Sequence, residues 1–305
     1  MNDKRVKLLF NDSFNQCLHC HSIYSYEVDG EGDLDVCDLL ELVRKESNRV
    51  KTFDLMQSKF PMTLVAITDH NDMRAYFGDS GKDIQAKLHK DYLNADELRE
   101  YYGINREERI RMEALERFKV ITGAEISAKL GDIKVHGLAL DFDERIFVLF
   151  RYTKEKYRFN KNGRAKVGTV GMAVHLSKGK FVLAHPSRYV EEGKISLNDI
   201  LEAAYKAKCF DGIECATSNT TIEECFEILR FCAEHDMPIT IGTDYHYKGR
   251  RTVEGVRGQR EDLFFVESLG MSTGDFLLRV VGKSVDQLNE IEKELVEKRD
   301  MIIRR

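Results

Sequence analysis

The sequence predicts an α/β fold built on a parallel sheet, open or closed into a barrel. Three observations carry that prediction. Seven short β-rich runs recur along the chain, from "FNQCLHCH" (14–21) to "PITIGTDYH" (238–246). Amphipathic helical patterns lie between several of them. The runs are almost continuously apolar, as strands covered on both faces are.

Composition sets the frame. The chain has 305 residues, 42% hydrophobic and 32% charged, which is ordinary for a folded protein. A single domain of that length can bury roughly 75% of its unfolded surface. A net charge of −5 argues against bulk, sequence-independent nucleic-acid binding. No run approaches the ~18 apolar residues of a membrane helix, and the apolar stretch near the N-terminus is too short for a secretory signal. Seven scattered cysteines, mostly in apolar runs, fit reduced thiols in a cytoplasm. The expectation is a cytoplasmic protein with no membrane partner.

The elements follow in order. The first run, 14–21, holds Cys17-Leu18-His19-Cys20-His21. Alternate residues of a strand share a face, so Cys17, His19 and His21 are expected on one side and Leu18 and Cys20 on the other. That separates the two cysteines of the C-x-x-C and makes His-x-His the working pair. A helical pattern at 35–46 follows, then the run "TLVAITDH" (63–70). Residues 79–118 are long, charged and helical, and read as an insertion that could lie over the site as a lid. The runs "KVITGAEIS" (119–127) and "DIKVHGLAL" (132–140) come next. Residues 151–166 form a basic loop with seven Lys or Arg against one Glu, and with Tyr152, Tyr157 and Phe159 interleaved. After "KFVLAHP" (180–186), a helix over 196–208 begins at Ser196 as N-cap. The run "FDGIECAT" (210–217) and a helix over 221–235 lead to the last run. A charged helix closes the chain within 281–305, packed on the main domain of residues 1–280 and available as a partner contact.

The strand ends carry the chemistry. His19, His21, His70, Glu125, His136, His185, Asp244 and His246 all fall at or near the C-terminal ends of these runs. Barrel enzymes build their sites there because the strand ends converge on one mouth. Imidazoles and carboxylates gathered at one mouth need a cation to satisfy them, and mixed His and carboxylate donors suit Zn, Mn or Fe. His89, His175 and His235 lie in helical patterns and read as surface or core residues.

The motifs "LHCHS", "AITDHN", "GAEIS", "VHGL", "AHPSRY" and "GTDYH", spread over residues 17–246, resemble those of the polymerase-and-histidinol-phosphatase (PHP) family of metal-dependent phosphoesterases. The chain looks closest to the branch of bacterial nucleotide phosphatases and 5′-to-3′ exoribonucleases. The resemblance implies a distorted, TIM-like (β/α)7 barrel with two or three divalent metals at the C-terminal strand ends. His19, His21, Glu125 and Asp244 would hold the first. Glu125, His136 and His185 would hold the second, with Glu125 bridging. His70 and His246 would hold a third, whose remaining family ligand is an Asp at the position of Tyr26. Glu27 or Asp29 could substitute. The family also carries Asp where this chain has Cys17, which is expected to be a packing or supporting residue.

The implied reaction is hydrolysis of a phosphomonoester, of a nucleotide or another small phosphorylated metabolite, by a metal-bridging hydroxide. Glu125, Asp244 and His246 would be its catalytic residues, and Arg188 of "HPSRY" would grip the phosphate. An exonuclease acting on DNA or RNA ends is the alternative, favoured by the basic, aromatic loop at 151–166. A non-catalytic accessory module and a hydrolase of non-phosphate esters or amides are the lesser readings.

Overall fold

The computed structural model describes residues 4–10, 15–21, 63–71, 118–143, 165–191, 193, 195–217, 220–242, 244, 271 and 273–303. The helix expected at 35–46, nearly all of the 79–118 insertion and the 151–166 loop, and Tyr26, Glu27, Asp29, His89 and His246 lie outside these residues.

Two sheets form the framework. Strands β1 (Asn15–Cys17), β2 (Thr63–Ala66) and β3 (Phe118–Ile121) make a parallel three-stranded sheet in that order. Strands β4 (Gly123–Leu130), β5 (Ile133–Leu140), β6 (Lys180–Leu183), β7 (Gly212–Ala216) and β8 (Ile239–Ile241) make a five-stranded sheet, again in sequence order.

The five-stranded sheet corrects the expectation of parallel strands throughout. β5 runs antiparallel to both β4 and β6, while β6, β7 and β8 are parallel. The reason is the connection. Leu130 pairs with Ile133, so only Gly131 and Asp132 remain for the turn, and no helix can intervene. Gly131 takes the left-handed φ of 62° that such a turn requires.

The run at 119–127 is also divided. Thr122 separates β3 from β4 and passes the chain from one sheet to the other. Its hydroxyl donates to the Phe142 carbonyl and accepts from the Phe142 N–H, both at 2.8 Å.

Side-chain alternation sorts the apolar residues into two layers. Leu18, Leu64, Ala66, Ile121, Leu138, Leu140, Val182 and Ala184 form a small buried cluster drawn from both sheets. Their strand neighbours, among them Val65, Ala139, Leu183, Ile213 and Ile241, belong to a larger core with the helices. The larger core covers the outer faces, and the small cluster floors the candidate site.

The helices bury one face each. α1 spans Val167–Leu176 and α2 Pro186–Glu191. α3 spans Leu197–Ala207, where the Ser196 side chain caps the Asp199 N–H as expected, and Ile200, Leu201 and Ala204 are buried. α4 (Ile222–His235) opens with a reciprocal capping box between Thr221 and Glu224. α5 spans Thr273–Val280 and α6 Val285–Ile303. Leu288 and Leu295 of α6 are buried, and ion pairs Arg230–Glu292 (2.5 Å) and Arg299–Glu223 (2.6 Å) fasten it to α4. The C-terminal helix therefore packs on the rest of the chain, as the sequence suggests. Among the described residues no helix is long and apolar enough to cross a membrane.

Candidate metal centre

The strands and the turns just beyond their ends gather seven donor residues. His19 and His21 follow β1, His70 follows β2, Glu125 lies in β4, His136 in β5, His185 follows β6 and Asp244 follows β8. All are buried. Glu125 and His136 depart from the expected strand-end position, since each sits in the first half of its strand. The antiparallel direction of β5 sets His136 beside the C-terminal end of β6, where its carbonyl accepts the Ala184 N–H at 3.1 Å, and opposite Ser127 of β4, two residues along from Glu125.

Glu125 is the centre of the arrangement. Its Oε1 lies 2.7 Å from His136 Nδ1 and 2.8 Å from His185 Nε2. Its Oε2 lies 2.8 Å from His70 Nδ1 and 3.3 Å from the Nε2 atoms of His19 and His21. Asp244 Oδ1 is 3.3 Å from the same two Nε2 atoms, which are 3.1 Å from each other. So His19, His21, Glu125 and Asp244 bring four donor atoms together, with every distance involving a histidine at 3.1–3.3 Å. Donor atoms of His19, Glu125, His185 and Asp244 also fall within 4.8 Å of one another, as do those of His21, His70 and Glu125. His70 thus meets the shared carboxylate directly.

The charged neighbours shift these groups strongly. Burial works to lower the His19 pKa, but the carboxylates of Glu214, Asp244 and Glu125 hold it well above the ordinary value. Burial likewise opposes protonation of His21, and hydrogen bonds to Asp244 and Glu125 prevail and raise it to about 9. Burial would raise Glu125, yet the surrounding His70, His136 and His19 hold it well below the usual carboxylate range. Metal ligation requires the imidazoles in their unprotonated form, so a divalent cation bound here would compete with these protons.

Backbone strain marks the same places. Asn71, His185 and Asp244 adopt left-handed φ values of 50°, 29° and 52°. Each donates its N–H within the site: Asn71 to the Glu125 carbonyl (2.7 Å), His185 to Glu214 Oε2 (2.7 Å) and Asp244 to the His19 carbonyl (2.9 Å). These bonds hold the donors in turns that the chain would otherwise avoid.

The cysteines depart from their expected facing. Cys17 and Cys20 both lie in the outer core, where the Cys17 thiol donates to the His19 carbonyl at 3.9 Å and the Cys20 thiol to the Ala66 carbonyl at 3.4 Å. The alternation of β1 ends at Cys17, so the extended pattern cannot be continued through His21. The hydrogen bond to Cys17 and burial push the Cys20 thiol well up, which leaves the pair as inert packing. His175 and His235 sit on helices beside Asp211 and Glu202, away from the cluster. Arg188, partly buried, stands in α2 just after His185.

Three supporting residues escaped the sequence reading. Glu214 in β7 contacts His19 and His185. Tyr189 Oη accepts from the His136 N–H at 2.7 Å. Asn71 exchanges two hydrogen bonds with Ser127, at 3.1 and 3.2 Å. The available signal was Glu214 itself, a carboxylate within an otherwise apolar strand.

No protein-family model and no curated protein matches the chain. Solved structures do resemble it. One, from Bifidobacterium adolescentis and described as a candidate metal-dependent phosphoesterase, is 18% identical with a TM-score of 0.48, covering 82% of this chain and 93% of that one. An amidohydrolase from Chromobacterium violaceum, with bound sulfate and no metal, is 16% identical with a TM-score of 0.42, covering 77% and 88%. A two-domain protein from Bacteroides vulgatus, containing a predicted PHP-like metal-dependent phosphoesterase, is 13% identical with a TM-score of 0.39, covering 81% of this chain and 57% of its own.

Proposed function

We propose that the protein is a cytoplasmic, metal-dependent phosphoesterase that hydrolyses a phosphomonoester of a nucleotide or small metabolite. The observation that carries this reading is the division of Glu125, whose two oxygens face two different sets of histidines. A carboxylate shared in this way suits a pair of divalent cations. Such ions, when bound, activate water and neutralise phosphoryl charge.

His19, His21, Glu125 and Asp244 would hold one ion, and Glu125, His136 and His185 the other. These mixed histidine and carboxylate donors suit manganese, zinc or iron. His70 would join through Glu125, and His246 is assigned to a third position. The surrounding residues exclude bulk water, which strengthens every charge interaction within the site. Arg188, held beside His185 by α2, is assigned the grip on the substrate phosphate. The PHP-like motifs at these same positions support the reading.

The same reading takes the two sheets as parts of a distorted seven-strand barrel, with β3 and β4 as one strand bent at Thr122. Hydrogen bonds at both seams support it: Leu18 N–H to the Ile241 carbonyl at 3.0 Å, and Glu125 N–H to the Asp69 carbonyl at 3.2 Å.

The test is phosphate release from a panel of 5′- and 3′-mononucleotides, a 3′,5′-bisphosphonucleotide, histidinol phosphate and short labelled RNA and DNA. Zn- and Mn-loaded protein would be used, with Asp244→Asn as the blank. Release from a small ester, lost in the blank, is the expected result. Stepwise shortening of an oligonucleotide would instead make it a nuclease. Inactivity on every substrate, with metal bound, would overturn the phosphoesterase reading.

A further inference from the structure

We infer that Glu214 is a positioning residue that fixes which nitrogen of His19 faces the cluster and ties the His19 side of Glu125 to its His185 side. The inference rests on the metal-centre reading above.

Glu214 occupies β7 between Ile213 and Cys215, both buried in the outer core, and its own side chain is 1% exposed. An ionised carboxylate at such a place costs several kcal/mol unless it is paired. Its partners are specific. Both carboxylate oxygens lie 3.1 Å from His19 Nδ1. Oε2 also accepts the backbone N–H of His185 at 2.7 Å.

Glu214 meets His19 at Nδ1, away from the Nε2 that faces the other donors, so it supports the donor set from behind. An ionised carboxylate only accepts, so Nδ1 of His19 must carry a hydrogen. With that hydrogen placed, the lone pair of a neutral His19 belongs to Nε2, the atom that faces His21, Glu125 and Asp244. The second bond acts on a different part of the cluster. The His185 N–H belongs to a residue with left-handed φ, and its ring places Nε2 2.8 Å from the other oxygen of Glu125. One carboxylate therefore orients a ring on one side of Glu125 and a strained backbone on the other.

Gly242 makes the slot. A Cβ there would come within 2.3 Å of His19 Cβ and 2.8 Å of Glu214 Oε1, so only glycine lets the imidazole and the carboxylate meet.

The test combines two readouts on the full chain. Zn2+ and Mn2+ affinities, measured by chelator competition, should fall about 10–100-fold in Glu214→Gln, and further in Glu214→Ala. Both oxygen positions face His19 Nδ1, so in either orientation the amide NH2 confronts that nitrogen with a donor. Nitrogen-15 NMR should show a slowly exchanging hydrogen on Nδ1 of His19 in wild-type protein, with and without metal, and its loss in Glu214→Gln. Unchanged affinity in the Gln variant would overturn the inference. So would a wild-type His19 whose Nδ1 carries no hydrogen, a result that needs no variant to fold. If wild-type protein binds no metal yet shows the Glu214-dependent hydrogen, the brace stands and the metal-centre reading falls.

Discussion

The Nε2 atoms of His19 and His21 stand 3.1 Å apart, and both face the same Asp244 oxygen at 3.3 Å. Two imidazoles held so close need either shared protons or a cation. Hydrogen bonds to Asp244 and Glu125 overcome burial and raise His21 to about 9 against an ordinary 6.5, and neighbouring carboxylates raise His19 in the same direction. A raised pKa stabilises the fold fully below the unfolded value and loses that contribution as pH climbs through the folded one. Metal-free protein should therefore melt at progressively lower temperature between pH 6.5 and 9. Metal binding should release protons and tighten over the same interval. Melting curves with and without chelator, and calorimetric titrations in buffers of different ionisation heat, check both trends.

Asp244→Asn and His136→Ala should act on different metals. Asp244 faces the Oε2 side of Glu125 through His19 and His21, whereas His136 touches Oε1. Each variant is expected to lose one equivalent of bound metal and to cut phosphate release by at least the ~10–100-fold that outer-shell changes cost. Elemental analysis beside the activity assay separates the two losses.

Gly242→Ala should damage stability and metal binding together. The added methyl meets His19 Cβ, the His19 backbone N and Glu214 Oε1, and the backbone atom cannot swing away. Overpacking of this kind costs about 1–3 kcal/mol. Urea unfolding measures the first effect, and chelator competition the second.

Asn71 separates conformation from hydrogen bonding. It has φ 50° and exchanges hydrogen bonds with Ser127, two residues along β4 from Glu125. Asn71→Gly keeps the backbone and loses the bonds, at about 1–2 kcal/mol. Asn71→Ala should lose roughly 1 kcal/mol more, because alanine resists a left-handed φ. Denaturant midpoints of the two variants give the difference directly.

Thr221→Ala is the contrasting case. It removes the capping box of α4, far along the chain from the donors, and should cost about 1 kcal/mol of stability. Metal content and phosphate release at temperatures well below melting should match wild type.

Much of the site was legible before the structure because the signal is local. Apolar runs mark strands, and strand ends converge at one side of a sheet, so histidines and acids at the ends of those runs can be read as one set. That holds for His19, His21, His70, His185 and Asp244, which sit just beyond β1, β2, β6 and β8. The cap at Ser196 is local too, since its side chain bonds three residues onward in the chain.

The tertiary structure decided what pairing and direction control. β5 turns back because two residues cannot hold a crossover helix, and that reversal carries His136 to Glu125. Thr122 moves the chain between sheets inside one continuous β-rich run. Cys17 and Cys20 meet because β1 ends after Cys17, where the two-residue period stops. Glu214 reads in sequence as one more residue of an apolar strand, and only the packing of β7 beside the β1 end brings it to His19, 195 positions away. The sequence by itself determined which residues could form a donor set. Which oxygen of Glu125 meets which histidine, and what holds each ring in place, depended on contacts between segments far apart in the chain, which no local period encodes.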